Sequence, residues 1–166
     1  MEKLFNYCIG ISENRLKHSY GVAQECYKIA DGYFNKSDTF CNRMFVIGFN
    51  HDIGYEFTPT DAKHTHNEIG AVLIADAIEH NKENVFSNAV KWHGNPNTPE
   101  EFRTLEWYIL NLADMTIDSD GTKVSMNKRI KGIEDRQGRN SMAYRDAVRI
   151  ASILREWLEK VNIKYE

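Results

Sequence analysis

Apolar residues recur three and four positions apart along most of the chain, which is the spacing of amphipathic helices. No segment shows the strict alternation of apolar and polar residues that is typical of a half-buried strand. The pattern and its flanking residues predict helices over 13–33, 38–52, 66–80, 83–93, 98–117, 124–135 and 141–161. We therefore expect an all-α fold, a single-domain bundle of about six to eight helices.

Capping and turn residues mark several of the expected boundaries. The sequences T-H-N-E at 65–68 and T-P-E-E at 98–101 both fit a capping box, and the second has proline at the first helical position. Gly54 is expected to follow the end of the second helix. The segments G-N-P-N at 94–97 and D-S-D-G at 118–121 are expected to form turns between helices.

Composition agrees with a single helical domain over residues 1–166. The chain has only 3 prolines and 10 glycines in 166 residues, so long uninterrupted helices are favoured. Its 21 basic and 24 acidic residues give a formal net charge of −3. This charge argues against broad nucleic-acid binding, because there is no basic excess to neutralise phosphates. A small pocket with local positive charge remains compatible with it.

The chain carries no sequence signal for secretion or for a membrane span. Residues 1–11 lack a full apolar signal core, and the longest apolar run, near 44–49, is far too short to cross a bilayer. The three cysteines, Cys8, Cys26 and Cys41, lie in apolar surroundings without a C-x-x-C pair. We expect them to be buried, reduced thiols in a cytoplasmic protein.

The chemistry of the chain is concentrated in histidines and aspartates that end apolar helical stripes. These residues are His18, His51, His66, His93 and Asp114, together with Asp52 beside His51. Any one of them has an ordinary explanation, such as a core histidine bonded to a carbonyl or an aspartate paired with an arginine. Together they suggest one focus, since a buried carboxylate is costly unless it is paired or metal-bound.

The mixture of imidazole and carboxylate groups, without thiolate, suits iron, manganese, zinc or nickel better than calcium. His64 and His80 fall in a loop and at a helix end, where surface histidines are ordinary. His64 remains an alternative to His66 as a ligand because the two are close in sequence.

The ordered set of a histidine, a His-Asp doublet and a distant aspartate resembles the HD superfamily of metal-dependent phosphohydrolases. The matching words are H-S-Y-G-V-A from His18, F-N-H-D-I-G around His51 and Asp52, and L-A-D ending at Asp114. The resemblance implies an HD-type helical bundle. Its motif-bearing core would span about 13–118, with C-terminal helices over 122–162 packed on it.

Two further histidines resemble the second ligand set of two-metal HD proteins. His66 begins H-N-E-I-G-A, and His93 precedes Gly94 after an apolar stretch. The layout is similar to that of the bacterial symmetrical diadenosine tetraphosphate hydrolases and the HD-GYP phosphodiesterases, although the GYP signature is absent. The resemblance implies that one metal is held by His18, His51, Asp52 and Asp114. Asp52 would bridge to a second metal held by His66 and His93.

The expected cofactor is therefore one or two divalent transition metal ions. Iron or manganese is the first choice, with zinc, cobalt or nickel as alternatives. Arg15 lies one turn before His18 and is the first choice for a phosphate contact, although a surface ion pair explains it equally well. Tyr55 occupies a position where the family often carries lysine, and Asn111 lies one turn before Asp114. Both are candidates for substrate binding.

These residues predict a metal-dependent phosphohydrolase, with Asp52 and Arg15 as its catalytic residues. The substrate would be a nucleotide or another small phosphorylated metabolite, cleaved at a phosphoester or phosphoanhydride by metal-activated water. A di-iron oxygenase and a non-catalytic metal- or nucleotide-binding module are the alternatives. A homodimer is left open. The basic group Lys123, Lys128, Arg129 and Lys131 is interpreted as a solvated face, with the mouth of a pocket as the other reading.

Overall fold

The computed structural model describes residues 12–58, 65–78 and 84–165 of the chain. Within these ranges the protein has seven α-helices and no strand, and an isolated bridge joins Ile117 and Lys123. The helices are α1 Glu13–Gly32, α2 Asp38–Asn50, α3 Thr65–Ile78, α4 Val85–Trp92, α5 Leu105–Asp114, α6 Met126–Gln137 and α7 Met142–Lys160. Short 3₁₀ helices lie at Ile53–Glu56 and Glu100–Phe102. The all-α prediction is confirmed.

Side-chain caps set the start of five helices. In each case a serine or threonine hydroxyl accepts a hydrogen bond from the backbone N–H three residues further along, which satisfies a donor that the helix cannot. The capping residues are Ser12, Ser37, Thr104, Ser125 and Ser141.

The predicted helix over 98–117 is wrong in its extent. Arg103 has a non-helical backbone, with φ −81° and ψ 58°, so the 3₁₀ turn at Glu100–Phe102 is separate from α5. The Thr98 hydroxyl donates to the carbonyls of Trp92 and Asn95 instead of capping a helix. Thr104 provides the cap that begins α5, and the helix ends at Asp114 rather than near residue 117.

The core places α5 at the centre of the bundle. Trp107 and Leu110 of α5 are fully buried, with Ile29 of α1, Met44 of α2 and Ile74 of α3 in the same apolar cluster. Helix α1 packs on α2, α3 packs on α4, and α5 contacts α1, α2, α4 and α7. Because α5 touches all these neighbours, the residues at its end meet the ends of the surrounding helices.

Aromatic stacking attaches the C-terminal helix pair to this bundle. The ring of Trp157 in α7 stacks on Tyr108 of α5 at a centroid distance of 4.5 Å and an interplanar angle of 6°. Trp157 also stacks on Phe34, at a centroid distance of 5.6 Å. After α7, the Tyr165 hydroxyl donates a 2.6 Å hydrogen bond to Oε1 of the buried Glu25. These contacts fix the position of α7 against the bundle.

The cysteine and membrane predictions can be compared with the described ranges. Cys26 and Cys41 are free and buried, as expected, and burial raises the pKa of the Cys26 thiol well above its usual range. Among the helices described, none is long and apolar enough to cross a bilayer. Cys8, His64, His80 and the segment 1–11 lie outside the described residues.

Candidate metal centre

The six residues singled out as ligands come together where five helices begin or end. His18 lies in the second turn of α1, and Asp114 is the last residue of α5. His51 and His93 are the C-terminal caps of α2 and α4, Asp52 directly follows His51, and His66 is the second residue of α3. The histidines are buried and the two aspartates are partly buried.

Asp52 is shared by two groups of donor atoms, each compact enough to hold a metal ion. One group contains His18, His51 and Asp52, and the other contains Asp52, His66 and His93. Asp52 Oδ1 lies 3.6 Å from Nε2 of His51, 3.8 Å from that of His66 and 3.6 Å from that of His93. Such separations match donors that share one ion through bonds of about 2.0–2.2 Å.

Asp114 lies beside the first group and contacts two of its histidines. Its Oδ1 lies 3.0 Å from His18 Nε2 and 4.0 Å from His51 Nε2. The two carboxylates therefore face the same pair of imidazoles, and four donors from α1, α2 and α5 converge. His18 and Asp114 are 96 residues apart in sequence, so their contact depends on the packing of α5 against α1.

Three of the imidazole rings are oriented by backbone carbonyls. His51 Nδ1 lies 2.7 Å from the Gly48 oxygen, His93 Nδ1 lies 2.6 Å from the Val90 oxygen, and His18 Nδ1 lies 3.1 Å from the Asp118 oxygen. A carbonyl only accepts, so each Nδ1 donates its proton. In a neutral ring the proton is then on Nδ1, and the Nε2 lone pair faces the carboxylate oxygens.

This donor set fits a divalent cation. Unprotonated Nε2 atoms and carboxylate oxygens repel one another when they converge, unless a proton or a metal ion lies between them. Histidine ligands commonly donate their other ring nitrogen to a carbonyl, which is the arrangement of the three rings described above. The His/Asp groups could thus hold a divalent metal, and their mixed nitrogen and oxygen donors suit a transition metal.

The charges within the cluster alter its proton affinities. Burial alone would raise the pKa of Asp52 and of Asp114. The neighbouring histidines outweigh this effect and hold both pKa values below the usual range. At Asp114, the positive charge of Arg129 lowers the pKa further. Burial lowers the pKa of His51. For His93, burial acts in the same direction, but its interaction with Asp52 outweighs it and raises the pKa. Both aspartates are therefore ionised at neutral pH.

Arg15 and Tyr55 form one wall beside Asp52. Arg15 Nη1 donates to Asp52 Oδ2 at 3.1 Å, and its guanidinium lies 3.8 Å from the centre of the Tyr55 ring. The other side of the Tyr55 ring stacks on His66 at a centroid distance of 3.7 Å. Tyr55 thus positions two site residues, and its ring is already stacked on a protein side chain. The Arg15 side chain remains about one-third exposed to the cavity and solvent.

Asn111 lines the cavity, but both ends of its amide already have protein partners. Its Nδ2 donates to the Trp107 oxygen, and its Oδ1 accepts from the Gly94 N–H at 2.8 Å. Gly94 has φ +67°, a conformation that favours glycine, and it directly follows His93. Asn67, which the sequence did not single out, donates from Nδ2 to the His93 oxygen. The two asparagines therefore hold the chain around His93.

The environment of Arg129 contradicts the interpretation of the basic group at 123–131 as a solvated face. Its side chain is only 12% exposed, and it lies 3.4 Å from Asp114 Oδ1 and 3.5 Å from Asp118 Oδ1. Lys128 and Lys131 are exposed, as expected, while Lys123 pairs with the buried Glu25 at 2.9 Å. Arg129, Ile133 and Arg136 recur at helical spacing on one face of α6, but this spacing alone does not distinguish a buried arginine from an exposed one.

The ligand cluster opens into a cavity of about 440 Å³. Its lining includes Arg15, Tyr55, residues of α6 and α7, and all of the proposed ligands except His51. This volume lies within the range of about 300–1,000 Å³ that is usual for small-molecule sites. The arrangement combines converging metal donors, arginine side chains and space for a small ligand.

A family model described as HD domain matches residues 15–119, which is more than half of the chain. The match begins at Arg15 and ends just after Asp114, and it includes all six residues of the cluster. No curated protein and no solved structure matches the chain. Helices α6 and α7 lie beyond the matched residues.

Proposed function

The chain belongs to the HD-domain family, which is largely one of metal-dependent hydrolases, and we propose that this protein is a metal-dependent phosphohydrolase. The substrate would be a nucleotide or another small phosphorylated metabolite, cleaved at a phosphoester or phosphoanhydride bond. The observation that carries the proposal is that two metal-sized donor groups share Asp52, which is itself paired with Arg15 at a cavity wall. Phosphate esters are anions, so this is the side-chain environment that would bind them.

In this proposal His18, His51, Asp52 and Asp114 would hold one ion, and Asp52, His66 and His93 would hold a second. When bound, a divalent ion supplies Lewis acidity and lowers the pKa of water from about 15.7 toward 7. The carbonyls of Gly48 and Val90 keep His51 and His93 in the tautomer that presents Nε2 to the ion. Iron and manganese are the first candidates, and zinc, cobalt and nickel are compatible with the same donors.

Arg15 has the role of the phosphate-binding cation. With its carboxylate partner engaged by a metal, its guanidinium N–H groups can donate to a phosphoryl oxygen beside Asp52. The Tyr55 ring limits where the guanidinium can move, because the two groups are stacked. Arg15 would thus offset the charge that develops on the phosphoryl oxygens during cleavage.

The direct test is to purify the protein without chelators and to measure its metals by mass spectrometry. A panel of nucleotides and simple phosphoesters is then assayed for phosphate release with manganese, iron and cobalt. Asp52→Ala should lose bound metal and activity together, whereas Asp31→Ala, an exposed aspartate on α1, should lose neither. Full metal content and activity in Asp52→Ala would refute the proposed site. Oxygen uptake without phosphate release would instead identify an oxygenase.

Metal stoichiometry separates one ion from two. If Asp52 bridges two ions, His66→Ala should remove one ion per chain and His18→Ala should remove the other, while Asp52→Ala should remove both. If a single ion is shared by all the donors, the wild-type protein should bind one ion per chain, and each of the three variants should bind less than one. Circular dichroism on each variant checks that the helical fold is retained.

A further inference from the structure

The ring of His18 is oriented by a distant part of the chain. The carbonyl that accepts from its Nδ1 belongs to Asp118, 100 residues further along, whereas His51 and His93 bond to carbonyls only three residues away. His18 therefore points its Nε2 at the donor cluster only while Asp118 lies beside α1. The position of Asp118 is thus a requirement of the first metal-sized group.

Asp118 belongs to a short connection between α5 and α6, residues 117–123, which we call the α5–α6 loop. Its carbonyl also accepts the Gly121 N–H at 2.9 Å, and an isolated bridge joins Ile117 and Lys123. These bonds close the loop into a compact turn. A displacement of the turn would therefore carry the Asp118 carbonyl away from His18.

The α5–α6 loop packs backbone against backbone on the helix that carries His18. A Cβ at Gly121 would lie 2.6 Å from the Lys17 carbonyl oxygen, and a Cβ at Gly21 would lie 2.8 Å from the Gly121 oxygen. Only glycine allows an approach this close. Because Lys17 directly precedes His18, the contact holds the loop beside the imidazole ring.

Helix α6 holds the side chain of Asp118. Nη1 of Arg129 and Nη1 of Arg136 each lie 3.5 Å from Asp118 Oδ1. The Arg129 side chain is only 12% exposed, so its ion pair is screened less by solvent than a surface pair. Helix α6 begins after residue 119, where the match to the HD-domain model ends.

We propose that α6, acting through Asp118, positions His18 as a metal ligand. Asp118 is a positioning residue, since the arginines of α6 hold its side chain and its carbonyl fixes the His18 ring. The inference rests on the proposed function, because it takes His18 as a metal ligand, and it extends the metal centre to a helix outside the matched domain. Groups that orient a ligand in this way commonly contribute about 10- to 100-fold to metal affinity.

The first test displaces the loop without changing any charge. Gly121→Ala brings a Cβ against the Lys17 carbonyl. Gly138→Ala is its control, because both glycines have φ near +85° and a Cβ at residue 138 meets no atom within 4 Å. Manganese titration should show an affinity about 10- to 100-fold lower in Gly121→Ala and unchanged in Gly138→Ala. The loss should fall on the ion that depends on His18.

The second test releases the loop from α6. Asp118→Asn keeps an acceptor for the Ser119 N–H but removes the charge that pairs with the two arginines. Asp120→Asn removes the same charge from an exposed position in the same loop and is the control. Asp118→Asn should weaken manganese binding and Asp120→Asn should not. A loss in Asp118→Asn with none in Gly121→Ala would show that the charge acts rather than the position of the loop, and would overturn the inference.

A measurement without metal separates this inference from the function on which it rests. His18 is buried and its Nδ1–H is bonded to a carbonyl, so NMR should detect an imidazole proton protected from solvent exchange, assigned by its absence in His18→Gln. Gly121→Ala should lose this protection, whereas Gly138→Ala should retain it.

The two proposals can fail separately. If Gly121→Ala loses the protection but the wild-type protein binds no divalent ion, the proposed function fails and the positioning of His18 by the loop is supported. If the wild-type protein binds metal and releases phosphate, but Gly121→Ala and Asp118→Asn match their controls in manganese affinity and in proton exchange, the inference is overturned and the proposed function stands.

Discussion

Arg15 Nη1 lies 3.1 Å from Asp52 Oδ2, although the two residues are 37 positions apart. The other oxygen of the same carboxylate faces the histidines, so Asp52 joins a cation that can bind phosphate to the donors that can bind metal. Asp52 therefore connects metal binding with phosphate binding, which the proposed hydrolysis requires together.

The first prediction concerns this guanidinium. Arg15→Gln should lower kcat/KM for a phosphoester by about 10²- to 10³-fold, because a donor to the phosphoryl oxygens is lost. Metal content should change little, since Arg15 is not in either donor group. Lys17→Gln on the same helix is the matched control, because Lys17 is exposed and pairs with Glu13. Steady-state kinetics with parallel metal analysis would detect the difference, and an equal effect of both variants would contradict the role of Arg15.

The second prediction concerns Gly54, which lies against the backbone of His66. A Cβ at residue 54 would collide with the His66 carbonyl, and backbone atoms cannot be moved aside as cheaply as the end of a side chain. Gly54→Ala should therefore shift α3 away from the His-Asp doublet and weaken metal binding by the group that contains His66. Metal titration of the purified variant measures this effect.

Gly32→Ala is the control for that substitution. A Cβ at residue 32 meets no atom within 4 Å, and Gly32 lies in the last turn of α1. Alanine there should leave metal binding unchanged and should stabilise the helix by about 0.5–1 kcal/mol at most. If Gly54→Ala behaves like Gly32→Ala in both metal binding and thermal unfolding, the close packing of Gly54 on His66 has no functional importance.

The third prediction is that metal binding reverses the way in which the stability of the fold changes with pH. The pKa of His93 is raised above 6.5 in the metal-free fold, so its contribution to stability is present below pH 6.5 and is lost as pH rises through the raised value. A metal ion needs the deprotonated ring, so apparent metal affinity should rise by up to about tenfold per pH unit for each proton released. Thermal unfolding above pH 6.5 should therefore give opposite trends with and without saturating metal.

The decline in stability of the metal-free protein can be assigned to one residue. His93→Gln should remove the decline in stability of the metal-free protein over the same pH range. The pKa of His51 is lowered from 6.5, so His51 changes the pH dependence of stability only below pH 6.5. It therefore does not contribute to the decline measured above that pH. A decline that persists unchanged in His93→Gln would show that another group is responsible.

The fourth prediction concerns the end of the chain. Tyr165 donates a 2.6 Å hydrogen bond to Glu25, which also pairs with Lys123. Tyr165→Phe should lower the free energy of unfolding by about 1.5–3 kcal/mol, because hydrogen bonds to charged groups are the stronger ones and Glu25 is buried. Tyr20→Phe is the control, since Tyr20 is 51% exposed. Urea unfolding of both variants distinguishes a stabilising contact from an incidental one.

The order of the histidines and aspartates in the sequence was informative because five of the six lie at an end of an apolar helical stripe and Asp52 directly follows one of these five. A helix that packs its apolar face inward brings the residue at the end of that face to the same end of the bundle, and the structure brings all six together. Arg129 could not be placed in this way, because its environment depends on how α6 folds back over Asp114. Its position among lysines is equally typical of a solvated surface.

The boundary error at 98–117 has a related cause. Thr98 is followed by Pro99 and two glutamates, which is a favourable local signal for a helix start. In the folded chain the same hydroxyl is used by the turn after α4, where it bonds to Trp92 and Asn95. A local motif predicts which groups can form a cap, whereas the tertiary contacts decide which hydrogen bond is formed.

The rings of His51 and His93 are each tied to a carbonyl three residues earlier, within the last turn of their own helix. Their orientation is therefore a local property, fixed when α2 and α4 form and independent of the distant partners. Ligands that are already oriented lose little conformational freedom on binding an ion. Metal uptake should consequently require little rearrangement of these rings, and its rate should be governed by the release of protons and by access through the cavity.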